Sequence, residues 1–392
     1  MEKTYLELNP SQRILLGPGP SNCHPRVLKA MATPLVGHLD PDFLDVMNDV
    51  MELLREVFQT KNQLTIPMSG TGSAGMETTL VNLLEPGDKA VICINGLFGQ
   101  RMADIVERCG AEVIKVEGEW GDIIKPEQVE SALKGSGAKL VGIVHAETST
   151  GVRQPLEDIA KIAHENGALL LADTVTSLGG LEVKIDEWGV DVAYSGTQKC
   201  LSCPPGLSPV TFNEKAREVI RNRKTKVQSW YLDLTMIENY WGQERFYHHT
   251  APITMNYALR EALRLIHEEG LQQRFARHQK NSDAFVAGIE AMGLSMLPPK
   301  EYRLPSLNAV KIPDGVDDVK VRKMLLDKFN IEIGGGLGVL KGKIWRVGLM
   351  GYSSSQRNVM LLLAALETAL KAQGYSVKEG AGIAAAAEVY GL

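Results

Sequence analysis

The sequence predicts an α/β fold: a mostly parallel sheet flanked by helices, followed by a smaller C-terminal α+β domain. Two observations carry this. Short apolar, β-rich runs recur at 64–68, 90–94, 112–116, 140–144, 168–172, 190–194 and 207–212. Between most of them lie stretches with apolar residues at helical spacing, at 75–84, 99–109 and 156–165. Strands alternating with helices argue for parallel pairing through crossover connections. Gly87, Gly110 and Gly167 stand where helices should stop, because glycine most easily takes the left-handed conformation after a last helical turn. Past about residue 250 the pattern changes. Two long helical stretches, 256–269 and 271–292, precede strand candidates at 308–312 and 343–348, which flank a helix near 319–329. A last helix is expected over about 355–373. Ser353 with Gln356 should form its capping box and Gly374 its stop.

These elements divide the chain into an N-terminal arm (1–20), a large domain (21–255), a small domain (256–374) and a tail (375–392) whose small residues are expected to fray. A length of 392 residues supports such a division and a sizeable core. Apolar residues at 44% and charged residues at 23% exclude a disordered chain. The net charge of −5 argues against nucleic acid as a partner. The apolar run at 359–366 stops at Glu367, short of the roughly 20 residues that a spanning helix needs. The chain start lacks a basic-then-apolar leader, and Tyr390-Gly391-Leu392 is not a peroxisomal address. Five scattered cysteines read as reduced thiols. The expectation is a cytoplasmic enzyme with no membrane partner.

Three motifs carry chemistry. Gly70-Thr71-Gly72-Ser73-Ala74-Gly75 follows a strand and opens a helix, as in a dinucleotide fingerprint. The acidic residue which that fingerprint wants after the second strand is missing, since Asn95-Gly96 stands there. What survives is a helix start able to hold a phosphate, whether single or part of a pyrophosphate. Asp173 ends the buried-looking strand that begins at Leu169, where ligands bind in open α/β sheets. Lys199 closes Ser195-Gly196-Thr197-Gln198-Lys199 after another such strand and is a candidate Schiff-base lysine. A phosphate cup, a carboxylate and a lysine, all just after strands, are what pyridoxal 5′-phosphate (PLP) requires. Phe98 is placed to stack on a ring, and the polar cluster 145–151 to reach a cofactor oxygen. Arg346 sits in an apolar strand and needs a partner, either a substrate carboxylate or an internal acid. Cys200-x-x-Cys203 and His248-His249 lack the further ligands of a metal site, so no metal is expected.

Taken in order, Gly17-Pro18-Gly19-Pro20, Ser69-Gly70-Thr71-Gly72, Glu147-Thr148-Ser149-Thr150-Gly151-Val152, Asp173, Ser195-Gly196-Thr197-Gln198-Lys199, Tyr247-His248-His249-Thr250 and Arg346-Val347-Gly348 resemble the class V aminotransferases of PLP fold type I. Within that family they are most similar to the alanine–glyoxylate and serine–pyruvate group. The likeness runs from about residue 15 to 373.

The resemblance implies a role for each position. Lys199 would hold PLP as the internal aldimine and shuttle the substrate proton. Asp173 would pair with the pyridine nitrogen. Thr71, Gly72, Ser73 and Gln198 would form the phosphate cup, Phe98 would stack on the ring, and Thr148 would bond near the ring hydroxyl. Arg346, with Gly19 and Thr148, would bind substrate. Tyr247 and Thr250 would complete the phosphate site of a neighbouring subunit, making a homodimer the active unit. Animal members carry Trp at the position of Phe98 and His at that of Ser73. The implied reaction is ping-pong transamination, with L-alanine or L-serine as donor and glyoxylate as acceptor, giving pyruvate or hydroxypyruvate and glycine. The alternatives are a serine–glyoxylate or serine–pyruvate enzyme with little alanine use and, more remotely, a nicotinamide-dependent dehydrogenase. A cysteine desulfurase is disfavoured because no cysteine follows Cys203.

Overall fold

The computed structural model describes residues 5–392. Its centre is a seven-stranded sheet. The strands are β1 (Leu64–Ser69), β2 (Lys89–Ile94), β3 (Glu112–Glu117), β4 (Leu140–Val144), β5 (Leu169–Asp173), β6 (Val192–Tyr194) and β7 (Leu207–Phe212). They lie in the order β1-β7-β6-β5-β4-β2-β3. All pairs are parallel except the two made by β7, which runs antiparallel to β1 and β6. Successive side chains enter different cores, as the period of two requires. Ala90, Ile92 and Ile94 join a core under the helices Gly72–Leu83 and Leu97–Arg108. Val91 and Cys93 join the core under Pro126–Leu133, Glu157–Glu165 and Ile253–Glu269. The edge strand β3 exposes Glu112, Lys115 and Glu117, charges that discourage further pairing.

The C-terminal part has its own core around an antiparallel sheet of β8 (Leu307–Lys311), β9 (Gly334–Gly335) and β10 (Ile344–Gly348), with β10 in the middle. The helices Leu271–Ala291, Asp318–Phe329 and Gln356–Lys371 pack on it. Near the N-terminus, Ile14–Leu15 pairs in parallel with Ile331–Glu332, and the Gly348 N–H donates to Leu16 O at 2.8 Å. The arm is thereby stitched to the small sheet before it enters the large domain.

The structure adds the short helices Pro25–Met31, Pro126–Leu133, Glu214–Arg221 and Leu234–Trp241 to the sequence expectation, and three further features differ from it. The helix Pro41–Val57 adds to it, with Asp40 accepting from the Asp42 N–H at 2.9 Å as its cap. Ser355, not Ser353, caps the helix Gln356–Lys371 by accepting from the Asn358 N–H, while the Ser353 hydroxyl accepts from the Asn22 N–H at 2.9 Å. The tail is not frayed where it is richest in alanine: Ala381–Tyr390 is a helix. Alanine is the best helix former, and small residues permit close packing. A Cβ on Gly382 would lie 3.2 Å from Gly288 O on the neighbouring helix. Ala386 is buried, and Tyr390 Oη donates to Asn281 Oδ1 at 2.8 Å. Among the described residues, no helix is long and apolar enough to cross a membrane.

The Gly288–Gly382 crossing makes the tail part of the core. Gly382→Leu should lower stability by about 1–3 kcal/mol through overpacking, read as a lower urea midpoint. An unchanged midpoint would show that the tail does not dock.

Candidate active site

Because β7 is antiparallel to both neighbours, β1 points the same way as β6, and the carboxyl ends of β1, β2, β4, β5 and β6 meet at one edge. The loops carrying Thr71–Ser73, Phe98, Thr148, Asp173 and Gln198–Lys199 leave from that edge. It includes the point where successive crossovers reverse direction, between β2 and β4, the usual ligand crevice of open α/β sheets.

Lys199 is buried, and Nζ donates to Pro18 O of the N-terminal arm. Gly19 lies flat against its side chain: a Cβ there would be 2.7 Å from Lys199 Cδ and 2.8 Å from Nζ. No side chain larger than hydrogen fits between arm and lysine. Burial, reinforced by the charge of Arg346, lowers the Lys199 pKa to about 8. Asp173 is also buried. Its Oδ2 accepts from Tyr194 Oη at 2.6 Å and its Oδ1 from the Val175 N–H at 2.8 Å. Burial outweighs these donors and the nearby cations and raises its pKa to about 6. Such a carboxylate is short of a positive partner, and a protonated ring nitrogen supplies one.

The helix Gly72–Leu83 begins in the loop after β1, with Thr71 at its N-cap making no side-chain capping bond. The Ala74 N–H donates to Thr71 O at 2.7 Å, while the N–H groups of Gly72 and Ser73 before it, with the helix dipole, favour an anion. The Ser195–Lys199 loop packs beside it, with Gly196 Cα 3.6 Å from the Cβ position of Gly72. Gln198 Oε1 is buried there without a hydrogen-bond partner. Ser73 accepts at Oγ from Arg101 Nη1 at 3.2 Å, and the Arg101 guanidinium lies 5.0 Å from the centre of the Phe98 ring.

Arg346 is buried, yet no carboxylate among the described residues pairs with it. Nε donates to Gly335 O at 2.8 Å and Nη1 to Thr148 O at 3.2 Å. Burial lowers its pKa to about 10, and the neighbouring Glu147 opposes the shift. The guanidinium remains protonated at neutral pH and is oriented by backbone carbonyls, which leaves it fit for an anionic ligand. The Thr148 hydroxyl shares a hydrogen bond with that of Thr176. Glu147, fully buried, accepts from the Phe98 N–H at 3.2 Å and the Ser149 N–H at 2.9 Å. Burial raises its pKa to about 7.

Two expected site residues lie apart from this group. Tyr247 is 59% exposed and packs on His38, and Thr250 is exposed. Between them, His248 stacks on Trp230 with ring centres 4.3 Å apart, and His249 shares a 2.8 Å hydrogen bond with Ser69. Cys200 and Cys203 are both buried. The sequence reading missed Tyr194, Glu147 and Arg101 as members of the site. A Tyr that ends a buried strand beside one ending in Asp, or an Arg one helical turn beyond Phe98, was the available signal.

The residues fit PLP. An under-compensated buried carboxylate, a buried lysine with a lowered pKa, and a helix start with no side-chain cap lie at one sheet edge. A comparison with family models matches residues 15–359 to the one described as Aminotransferase class-V. The structure of ureidoglycine–glyoxylate aminotransferase from Bacillus subtilis superposes with a TM-score of 0.97 at 45% identity, over 99% of this chain and 100% of that one. That of an alanine–glyoxylate aminotransferase from Nostoc sp. gives 0.91 at 53% identity, over 93% and 98%. A Drosophila melanogaster alanine–glyoxylate aminotransferase is 41% identical, over 93% of this chain and 94% of its own.

The lowered Lys199 pKa has a measurable consequence. A lowered lysine pKa means that the neutral, nucleophilic amine accumulates as pH rises through about 8, against about 10.4 for a free lysine. In cofactor-free protein, acylation of Lys199 followed by peptide mapping should therefore show a midpoint near pH 8. A midpoint at the free-lysine value would show that the lysine is hydrated.

Proposed function

The chain belongs to the class-V aminotransferases, which depend on PLP, and we propose that it transfers the amino group of L-alanine, or of L-serine, to glyoxylate. The products are pyruvate or hydroxypyruvate, and glycine. Donor and acceptor are each an α-carboxylate with one reacting carbon, and they use the same site in turn. The observation that carries this reading is Arg346, a buried guanidinium oriented by Gly335 O and Thr148 O and left without an acid of its own among the described residues. Glyoxylate appears in the names of all three relatives above, and alanine in two of them.

PLP, when bound, supplies an electrophilic ring that draws electrons away from the substrate Cα. The protein does the rest. Asp173 would pair with the ring nitrogen and hold its proton, and the bond from Tyr194 Oη fixes the orientation of that carboxylate. Lys199 Nζ binds the cofactor at rest and then carries the proton removed from the substrate Cα, a task suited to a pKa near 8. Thr71, Gly72, Ser73 and Gln198 hold the phosphate, Phe98 takes a face of the ring, and Thr148 bonds beside it. Arg346 clamps the substrate carboxylate, and Gly19 keeps the arm close over Lys199. Tyr247 and Thr250, exposed in a single chain, reach the phosphate of a second copy in a homodimer.

A second reading replaces the donor with (S)-ureidoglycine, on the strength of the 0.97 superposition. The visible spectrum of the PLP-loaded protein separates the two. L-alanine without any keto acid should bleach the cofactor band, and glyoxylate should restore it. Bleaching only by serine or by ureidoglycine moves the donor assignment, and no visible band after PLP incubation overturns the reading. Lys199→Ala should abolish turnover. Arg346→Ala should raise KM for both donor and glyoxylate by about 10–100-fold, the worth of a charge-assisted contact. An unchanged KM would remove the clamp.

A further inference from the structure

The phosphate cup has no cation in it. Thr71, Gly72, Ser73 and Gln198 offer N–H and hydroxyl groups, and the helix Gly72–Leu83 adds the partial charge of its dipole, worth about half an elementary charge. A phosphate monoester carries about −1.5 to −2 at neutral pH. Lys199 is committed to the cofactor's carbonyl carbon, and Arg346 is tied to Gly335 O and Thr148 O on the side of the small sheet. One cation at the site has no such commitment.

Arg101 stands one turn into the helix Leu97–Arg108, three residues after Phe98. Its guanidinium lies over the Phe98 ring at 5.0 Å and reaches Ser73 Oγ at 3.2 Å. No acid among the described residues pairs with it. Its contacts with Ser73 and Phe98 tie it to two neighbouring helix starts. A planar guanidinium on an aromatic platform keeps its outer N–H groups free for the oxygen atoms of an anion. Ser73 places those groups at the second residue of the helix start.

We propose that Arg101, steadied by the Phe98 ring and by Ser73, is the counter-charge of the cofactor's phosphate and so a further cofactor-binding residue. The phosphate would then be held between the first turn of one helix and a cation one turn into the next. This rests on the reading that the chain binds PLP.

The test compares PLP with pyridoxal, which lacks only the phosphate. Each is titrated into cofactor-free protein, and Kd is read by equilibrium dialysis. Arg101→Gln should weaken PLP binding by about 10–100-fold and leave pyridoxal binding unchanged. Arg101→Lys should recover part of the loss. An equal loss for both ligands would mean that Arg101 acts by supporting Phe98 or the helix, and would overturn the proposal. So would no loss for either. Wild-type protein that takes up no PLP would instead overturn the functional reading on which the proposal rests.

Discussion

A single buried carboxylate holds the loops of this site in register. Glu147 accepts hydrogen bonds from the Phe98 N–H, the Ser149 N–H and the Ser149 hydroxyl, and Ser149 Oγ accepts from the Leu97 N–H. The start of one helix is thereby fastened to the loop that carries Thr148, and Thr148 O in turn orients Arg346. The fastening depends on Gly96, where a Cβ would sit 2.3 Å from Glu147 Cδ. Phe98, Thr148 and Arg346 thus share one anchor. Its cost is a carboxylate in a dry place, offset by three donors and by the nearby guanidinium.

The site keeps its charges close to neutrality rather than avoiding them. Asp173 and Glu147 are pushed up by burial, while Lys199 and Arg346 are pushed down. Burial favours the neutral form of each group, so Asp173, Glu147 and Lys199 titrate nearer neutrality than exposed groups would, while Arg346, at about 10, stays charged. A site that must accept a ring nitrogen proton, release an amine and bind two carboxylates in turn benefits from groups poised in this way.

Most of the large sheet was legible because its strands are buried on both faces and read as short apolar runs, with glycine at the stops. Asp173 and Lys199 were legible because they end such runs abruptly. Tyr194 was not, since a buried tyrosine in an apolar strand looks like core until its hydroxyl is seen on Asp173. Glu147 hid in a polar cluster whose hydroxyls drew the attention, yet it is fully buried. Arg101 lies on a helix face where an arginine is ordinary, and its contacts with Ser73 and Phe98 are set only by the meeting of two helix starts. The tail failed for a different reason. Alanine and glycine carry little pattern, and the helix is set by close approach to Leu271–Ala291, a tertiary effect. Ser353 and Ser355 both satisfy a capping pattern, and the structure uses the nearer one for the helix and the other for the arm.

The contact between Pro18 and Lys199 also couples the two ends of the chain. The arm over the lysine is held by residues more than three hundred positions further on, through its pairing with Ile331–Glu332 and the Gly348 N–H bond to Leu16 O. The central sheet, residues 64–212, supplies the lysine but not the tether of its roof. Contacts so far apart in sequence carry a large loop-closure cost, so the cover over Lys199 is only as stable as the small antiparallel sheet that holds the arm.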